Sequence, residues 1–375
     1  MNSMVLATRL RFVTMISAGL LGLSGAITAQ PTQHYTQTNL VSDMPGVAAT
    51  TDPNLVNAWG MSRGSTTPWW VSDNGMGVAT LYAGTGSPVP LVVTIPAAES
   101  GQTGTPTGQV FNGTTDFAIA AGTPAKFIFA TEDGTISGWN PAVNQTAAVV
   151  MVNTHSASVF KGMALATVGD AQGQHANFLY VADFRKGRIS VYDTNFHPVR
   201  LGHGDEEDAF HDGRIPKGFA PFNVQNIGGN LYVTFAKQDS DKHDDVAGPG
   251  LGYVDVFSAT GRLLQRLEHS MWMNSPWGVT QAPSDFGANS HDILVGQFGG
   301  GNILAFDPVS GRFKGPLYAT NNMPVWIDGL WGIAFASDGT SGQATTLYFS
   351  AGPDGEQHGL FGTLMAVENV LGGDQ

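Results

Sequence analysis

A three-residue motif recurs six times along the chain, and this repeat limits the folds that the sequence can adopt. Each copy combines a large apolar residue, a small residue and an aliphatic residue. The copies are "WGM" at Trp59, "FAI" at Phe117, "MAL" at Met163, "FNV" at Phe222, "WGV" at Trp277 and "WGI" at Trp331, so successive copies lie 58, 46, 59, 55 and 54 residues apart. A repeat of this length is typical of propellers, solenoids and related arrays.

Short apolar runs separated by polar turns follow each copy of the motif, as in "LYVADFRKGRISVYD" and "ILVGQFGGGNILAFD". Four short strands per unit, repeated around an axis, predict an all-β fold, a six-bladed β-propeller. The blades are predicted to begin near residues 55, 114, 160, 219, 274 and 328, within a single domain spanning residues 30–375. The sixth unit lacks a fourth strand. We expect the segment "HYTQTNLV" to supply it and close the ring, because closure removes exposed sheet edges.

The first 29 residues have the pattern of a signal peptide. Arg9 and Arg11 precede the apolar run "FVTMISAGLLGLSGAITA", which ends in small residues suited to cleavage. The chain contains no cysteine, so disulfides and thiol chemistry are excluded. These features predict a periplasmic or secreted protein after removal of residues 1–29.

The net charge limits the partners. With 30 acidic and 17 basic residues, the chain carries a formal charge of −13. This charge disfavours nucleic acid and anionic membranes, both of which attract basic surfaces. We expect a monomer that binds a small molecule, a glycan or an envelope protein, without membrane insertion.

Polar residues are predicted to gather at one end of the propeller channel. The turns between second and third strands lie on the same face as the starts of the first strands, and loops on a rigid scaffold commonly carry function. The residues predicted to line this mouth are Asn57, Asp73, Asp133, Asp183, Lys237, Gln238, Gln297, Asp328, Asp354, Glu356 and His358. Acidic and amide residues are also favoured in tight turns, so each of them has a structural explanation too.

The stretch "KQDSDKHDDVAGPG", Lys237 to Gly250, is a long insertion in the corresponding turn of blade four. It lacks the ligand spacing, glycine and final glutamate of an EF-hand loop. A lid over the channel mouth is the preferred interpretation, and a solvated insertion is the next. Asp239, Asp244 and Asp245 are candidate ligands for a shared calcium site, since calcium prefers carboxylate oxygens.

A second polar cluster, "HPVRLGHGDEEDAFHDG", joins blade three to blade four. Its histidines do not have the spacing of known zinc motifs. A solvated connection is the favoured interpretation, and a metal site is the alternative.

Several long segments carry a family resemblance, among them "NSPWGVTQAP", "IDGLWGIAF" and "FSAGPDGEQHGLFGTL". In these segments the chain resembles a family of secreted bacterial six-bladed β-propeller proteins, and its blades resemble NHL repeats. The fold also resembles that of gluconolactonase-type calcium-dependent hydrolases. Those enzymes carry a glutamate in "EGP" at the first strand, where this chain has "NLVNAWG" and Asn57.

Two functions are compatible with these observations. The first is a secreted or periplasmic propeller that binds a ligand or envelope partner at its acidic channel mouth, with no catalytic activity assigned. The alternative is a calcium-dependent lactonase or esterase in which a metal-bound water or a carboxylate acts as the base. Whether the chain is an enzyme is left open at this point. Trp59, Trp277 and Trp331 are expected to pack between blades rather than stack on a ligand.

Overall fold

The computed structural model describes residues 33–169, 173–201 and 209–367. Six antiparallel sheets follow one another along the chain, and each sheet is one blade. The strands are given from the inner to the outer strand of each blade. Blade one comprises Ala58–Ser62, Trp69–Asp73, Val78–Tyr82 and Val93–Thr94; blade two comprises Pro106–Phe111, Phe127–Thr131, Thr135–Trp139 and Val149–Asn153; and blade three comprises Phe160–Gly169, His175–Asp183, Arg188–Tyr192 and Pro198–Val199. Blade four comprises Phe219–Ile227, Asn230–Lys237, Gly252–Phe257 and Leu263–Arg266, and blade five comprises Pro276–Gln281, Ile293–Gln297, Ile303–Phe306 and Phe313–Pro316. The predicted six-bladed β-propeller is confirmed.

The sixth blade combines the two ends of the described chain. Its first three strands are Leu330–Phe335, Leu347–Ala351 and Leu360–Ala366, and the outer strand is His34–Ser42. This outer strand pairs antiparallel with the third strand, from Tyr35 opposite Ala366 to Ser42 opposite Leu360. The predicted closure by the N-terminal strand is therefore confirmed.

Short elements complete the description. Two-residue strands at Thr50–Thr51 and Tyr318–Ala319 pair in parallel with the closing strand. A small hairpin joins Ala118–Ala120 to Thr123–Pro124. Three 3-10 turns, Asn74–Met76, Gly287–Asn289 and Gly339–Ser341, and one helical turn, Pro353–Glu356, lie in loops. Within the described ranges, no helix has the length and apolar character needed to cross a membrane.

The small residue of the motif lets neighbouring inner strands approach each other closely. A methyl group added at Gly60 would lie 2.3 Å from the carbonyl oxygen of Thr107, and one added at Gly108 would lie 2.6 Å from the Cα atom of Gly162. Such distances are shorter than any van der Waals contact. Glycine is therefore required at these two positions, whereas blade four carries Asn223 there, whose Nδ2 donates to the carbonyl of Trp277 at 2.9 Å.

This packing role shows that two copies of the motif were wrongly aligned. Phe117 lies in the loop before the small hairpin, not in an inner strand. The blade-two copy is Thr107–Gln109, whose large apolar residue is replaced by threonine. In blade three the copy begins at Lys161, two residues before Met163, because Gly162 is the glycine that packs on the next blade.

Each inner strand carries a β-bulge near the end that lies beside the turns between second and third strands. Bulges re-aim side chains, and here the bulge places one residue per blade toward the propeller axis. These residues are Trp59, Thr107, Lys161, Phe222, Trp277 and Trp331. Five of the six are apolar or neutral, and Lys161 is the one charged member of the set.

Aromatic rings fill the axis at this level. Trp59 stacks on Trp331 with ring centroids 3.7 Å apart, and Phe298 stacks on Trp331 at the same distance. Phe222 of blade four also contacts Trp331 of blade six, which requires contact across the axis. Trp59 and Trp277 contact Trp331 of the neighbouring blade six, and Trp331 also contacts Phe222 across the axis.

Two regions named in the sequence analysis fall wholly or partly outside the described residues. The signal peptide does so entirely. Residues 202–208 of the second polar cluster also do so, and Asp212 is one of its described members. Asp212 forms an ion pair with Arg266, so this part of the cluster fastens the connection to blade four.

Candidate functional site

The upper face is the face formed by the turns between second and third strands together with the connections that lead into the first strands. Groups from five blades meet there in one hydrogen-bonded assembly. We call this assembly the central network. Its members are Asn57, Asn74, Glu132, Lys161, His243, Asp244 and Glu356.

Lys161 lies at the centre of the central network. Its side chain is 1% exposed, and its Nζ atom is 2.5 Å from Oε1 of Glu132 and 3.1 Å from Oδ1 of Asp244. The ammonium group also lies 5.0 Å from the centroid of the Trp59 ring. A buried ammonium requires ionic and hydrogen-bond partners, and these contacts provide them.

Asn57 and Asn74 extend the network toward blade six. The Nδ2 atom of Asn57 donates to Oε2 of Glu356 at 2.6 Å and to Oδ1 of Asn74 at 3.3 Å. Asn74 in turn donates to Oε2 of Glu132 at 2.9 Å. From below, the indole Nε1 of Trp331 donates to Oδ1 of Asn57 at 3.0 Å. The aromatic packing on the axis therefore fixes the orientation of the Asn57 amide.

The backbone near the network adopts unusual conformations. Asn57 has φ 49°, Asp354 has φ 55° and Glu356 has φ 70°, all in the left-handed region that non-glycine residues rarely occupy. Residues held in such conformations cluster at binding and catalytic sites, because the surrounding structure must compensate for the strain. Here Glu356 is held by its bond to Asn57, whose N–H donates to the carbonyl of His358 at 3.0 Å.

The network also separates the pKa values of its members. Burial, together with the charge of Glu132, raises the pKa of Glu356 despite the hydrogen bond from Asn57. Burial acts to lower the pKa of Lys161, but Glu132 and Asp244 outweigh it and the net pKa is raised. The hydrogen bond with His243, together with Lys161, lowers the pKa of Asp244. The site therefore holds a fixed cation beside a carboxyl group that retains its proton more readily than usual.

Three of the residues predicted to line the mouth lie inside the blades instead. Asp73, Asp183 and Gln297 are fully buried near the ends of second strands, and burial raises the pKa of Asp73 well above its usual value. Gln297 accepts the N–H of Asn274 at 2.8 Å. These positions lie below the turns, where the pleat directs side chains between blades.

Four other predicted residues have partners that fix loops. The carboxylate of Asp133 accepts the N–H of Ala98, and Gln238 donates to the carbonyl of Phe184 at 2.5 Å. The Lys237 ammonium lies 5.5 Å from the Phe219 ring centroid. His358 is 2.8 Å from Asp43.

Asp328 and Asp354 lie together on the exposed blade-six part of the upper face, where Oδ2 of Asp328 accepts the Asp354 N–H at 2.8 Å. Of the predicted mouth residues, only Asn57 and Glu356 belong to the central network.

The calcium ligand set does not assemble as predicted. Only Asp244 belongs to a group with converging donor atoms, which it forms with Glu132 and His243. Asp239 instead accepts the backbone N–H of His243 at 2.9 Å, closing a turn within the loop. The Lys161 ammonium also contacts both carboxylates of the converging group. These residues do not fit a calcium site of oxygen ligands, because one converging donor is an imidazole nitrogen and the Lys161 ammonium already occupies both carboxylates.

Lys161 is the main site residue that the sequence analysis missed, whereas the turn that holds Glu132 was predicted at the mouth, with Asp133 chosen as its binding residue. A lysine within an otherwise apolar inner strand is a signal for a buried ion pair, since an unpaired buried ammonium is too costly. Glu132 precedes Asp133 in the same turn, and turn geometry decides which of the two carboxylates reaches the axis.

Comparisons with known proteins identify sequence relatives of this chain and solved structures with a similar fold. The chain is 34% identical over 307 residues to uncharacterized protein R648 of Acanthamoeba polyphaga mimivirus, covering 79% of this chain and 72% of that protein. It is 32% identical over 333 residues to uncharacterized protein L690 of the same virus, covering 87% of this chain and 84% of that protein. No protein-family profile matches the sequence. Because both relatives are viral proteins, the resemblance to secreted bacterial proteins stays a prediction.

Among solved structures, a glucose dehydrogenase superposes with a TM-score of 0.50 at 12% identity, covering 89% of this chain and 99% of that one. A streptogramin B lyase superposes with a TM-score of 0.49 at 11% identity, covering 89% and 98%. At such low identity, the similarity to the glucose dehydrogenase supports the fold alone.

Proposed function

This chain belongs to the same protein family as the mimivirus proteins R648 and L690, and we propose that it binds a small polar ligand at the central network of its upper face. The observation that carries this proposal is the convergence of polar side chains from five blades on one buried lysine. A single turn residue has an ordinary structural explanation, whereas a hydrogen-bonded set gathered from separated parts of the chain requires more than turn formation.

The composition of the network favours a ligand that donates hydrogen bonds. Lys161 is already paired, and Glu132, Glu356 and Asp244 contribute carboxyl oxygens near the upper surface. Binding sites of this kind combine an apolar base with a few oriented polar groups. The base here is the stacked pair of Trp59 and Trp331. We further propose that the protein acts after export, as the N-terminal pattern predicts.

The loop Lys237 to Gly250 acts as a cover for this site. Asp244, whose side chain is 65% exposed, reaches from the loop to the buried Lys161. The N–H of Gly248 donates to Oδ1 of Asn274 at 2.6 Å, which fastens the far end of the loop. A ligand that reaches Glu132 must pass this cover.

A metal-free hydrolase is the second candidate. One observation favours it: Glu356 has a raised pKa, whereas Glu132 is ion-paired with Lys161. Acid–base catalysis requires one group that can donate a proton and a second group that can accept one. In this candidate Glu356 holds a proton for a leaving group and Glu132 accepts one from water.

A ligand panel tests the binding proposal. Amines, amino acids, sugars, lactones and carboxylates are added singly to the purified protein, and the unfolding midpoint is measured. A ligand that binds only the folded state stabilises it, by about 2.7 kcal/mol at a hundred times Kd. A stabilising compound should lose its effect in Glu356→Gln and keep it in Asp285→Asn, whose exposed carboxylate lies on the opposite face.

Three results contradict parts of the proposal. If no compound stabilises the wild-type protein, binding at this site is refuted. If stabilisation is equal in both variants, the ligand binds elsewhere. If lactones or esters are consumed by the wild-type protein, with EDTA present, but not by Glu356→Gln, the hydrolase is favoured over simple binding.

A further inference from the structure

Trp326 is an exposed tryptophan on the upper face, outside the central network. Its side chain is 65% exposed, although it lies in the connection that leads into the inner strand of blade six. The ring is nevertheless held in place. A methyl group added at Gly301 would lie 2.8 Å from Nε1 and 2.9 Å from Cδ1 of Trp326, so the pyrrole edge packs directly on this glycine. Gly301 has φ 68°, a conformation that glycine adopts without strain.

The segment around Trp326 alternates between buried and exposed residues. Val325 and Ile327 are each 2% exposed, whereas Trp326 and Asp328 face solvent. The N–H of Ile327 donates to the carbonyl of Gly301 at 2.7 Å, which fixes the segment against the blade-five turn. Asp328 begins the turn that follows this segment, and the single buried residue Ile327 separates it from Trp326. Trp326 and Asp328 are therefore neighbouring exposed residues on the upper face.

The charge of this surface is negative and not internally compensated. Asp328 accepts the N–H of Asp354, which brings a second carboxylate to the same place. Across the described ranges, neither aspartate forms an ion pair. An indole face beside carboxylates attracts a cation through the ring quadrupole and through direct charge, and tryptophan is the best aromatic partner.

We propose that Trp326, Asp328 and Asp354 form a subsite for an ammonium group, carried either by a small organic cation or by a lysine side chain. The proposal rests on the binding function proposed above and specifies the ligand class for the part of the site formed by blades five and six. The formal charge of −13 favours approach of such a ligand. A neutral group of the same shape would lose the cation–π and charge contributions.

The test uses the indole N–H signals of the full chain in two-dimensional NMR. Trp326 is assigned by the signal that disappears in Trp326→Phe. Choline and its uncharged isostere 3,3-dimethyl-1-butanol are titrated separately, and a lysine-containing tripeptide is compared with the same peptide acetylated on the lysine. The subsite predicts that choline or the lysine peptide shifts the Trp326 signal, and that the uncharged counterpart binds more weakly, roughly two- to five-fold or more.

Matched variants separate this contact from general attraction. Asp328→Asn should weaken binding of the cation, whereas Asp285→Asn removes an exposed charge from the opposite face and should have little effect. Equal shifts with charged and uncharged probes, or equal weakening in both variants, overturn the proposal. A shift with choline and not with the peptide assigns the subsite to small cations, and the reverse assigns it to lysine side chains.

Failure of this inference is distinguishable from failure of the proposed function. The Trp331 indole bonds to Asn57 and so reports on the central network. If uncharged panel compounds move the Trp331 signal while no cation moves that of Trp326, the ammonium subsite is refuted and the binding function stands. If no compound moves either signal, both are refuted.

Discussion

Replacing Lys161 by methionine should destabilise the propeller because it leaves Glu132 without its buried cation. The Glu132 side chain is 10% exposed, whereas that of Asp244 is 65% exposed. Removing one partner of a buried ion pair costs about 3–5 kcal/mol. We expect Lys161→Met to lower the free energy of unfolding by about 3 kcal/mol, the lower end of that range, since Asn74 still donates a hydrogen bond to Glu132.

The two carboxylates should contribute unequally. Asp244→Asn should cost less than about 1 kcal/mol, because water screens an exposed pair even though His243 and Lys161 lower the pKa of Asp244. The double variant Lys161→Met with Glu132→Gln should recover much of the loss, since it removes both charges of the buried pair.

Urea unfolding followed by tryptophan fluorescence gives the free energies of unfolding of the wild-type protein, Lys161→Met, Glu132→Gln, Asp244→Asn and the double variant, and from them the coupling between Lys161 and Glu132. The reasoning is refuted if Asp244→Asn costs as much as Lys161→Met. It is also refuted if the double variant is no more stable than Lys161→Met alone, since the cost would then not come from the unpaired carboxylate.

Three other predictions concern the fold. Gly108→Ala should destabilise the protein by about 1–3 kcal/mol or more in thermal unfolding, because the added methyl overlaps the backbone of Gly162. Gly213→Ala should not, because its added methyl would lie 3.8 Å from Nε2 of His211, an ordinary van der Waals distance. Burial, followed by the hydrogen bond with Asp212, raises the pKa of Asp255 to about 8, so folding stability should fall as pH rises from about 4 toward 8. Urea titrations of Asp255→Asn at several pH values should show a weaker dependence of folding stability on pH. An unchanged slope of stability against pH would contradict the role of Asp255. Deleting residues up to 42 removes the closing strand, so the cooperative thermal transition should be lost; a retained transition would show that closure is dispensable.

The repeat in the sequence was sufficient to predict the blades and the closing strand. Both depend on periodicity and on the need to cover sheet edges, and these are visible in composition and spacing. The alignment of the second and third copies could not be predicted correctly from apolar character. Thr107 and Lys161 replace the large apolar residue, and only the close approach of Gly108 and Gly162 identifies the true positions.

The site was predicted less completely than the fold. The upper face and the loop that reaches over it follow from propeller geometry, and Asn57 and Glu356 were among the predicted residues. The choice between Glu132 and Asp133 depends on side-chain directions in one turn, which the sequence does not specify. Asp73 is an ordinary turn acid in sequence but lies fully buried, because it ends a second strand rather than beginning the turn.

The most direct test of the central claim is to record the indole N–H signals while the ligand panel is added. Trp331 bonds to Asn57 in the central network, whereas Trp69 bonds to the carbonyl of Ser341 far from it. A ligand at the upper face should shift the Trp331 signal, leave that of Trp69 unchanged, and lose its effect in Glu356→Gln. If every compound that binds shifts the indole signal of Trp69 and leaves that of Trp331 unchanged, the central network is not the binding site.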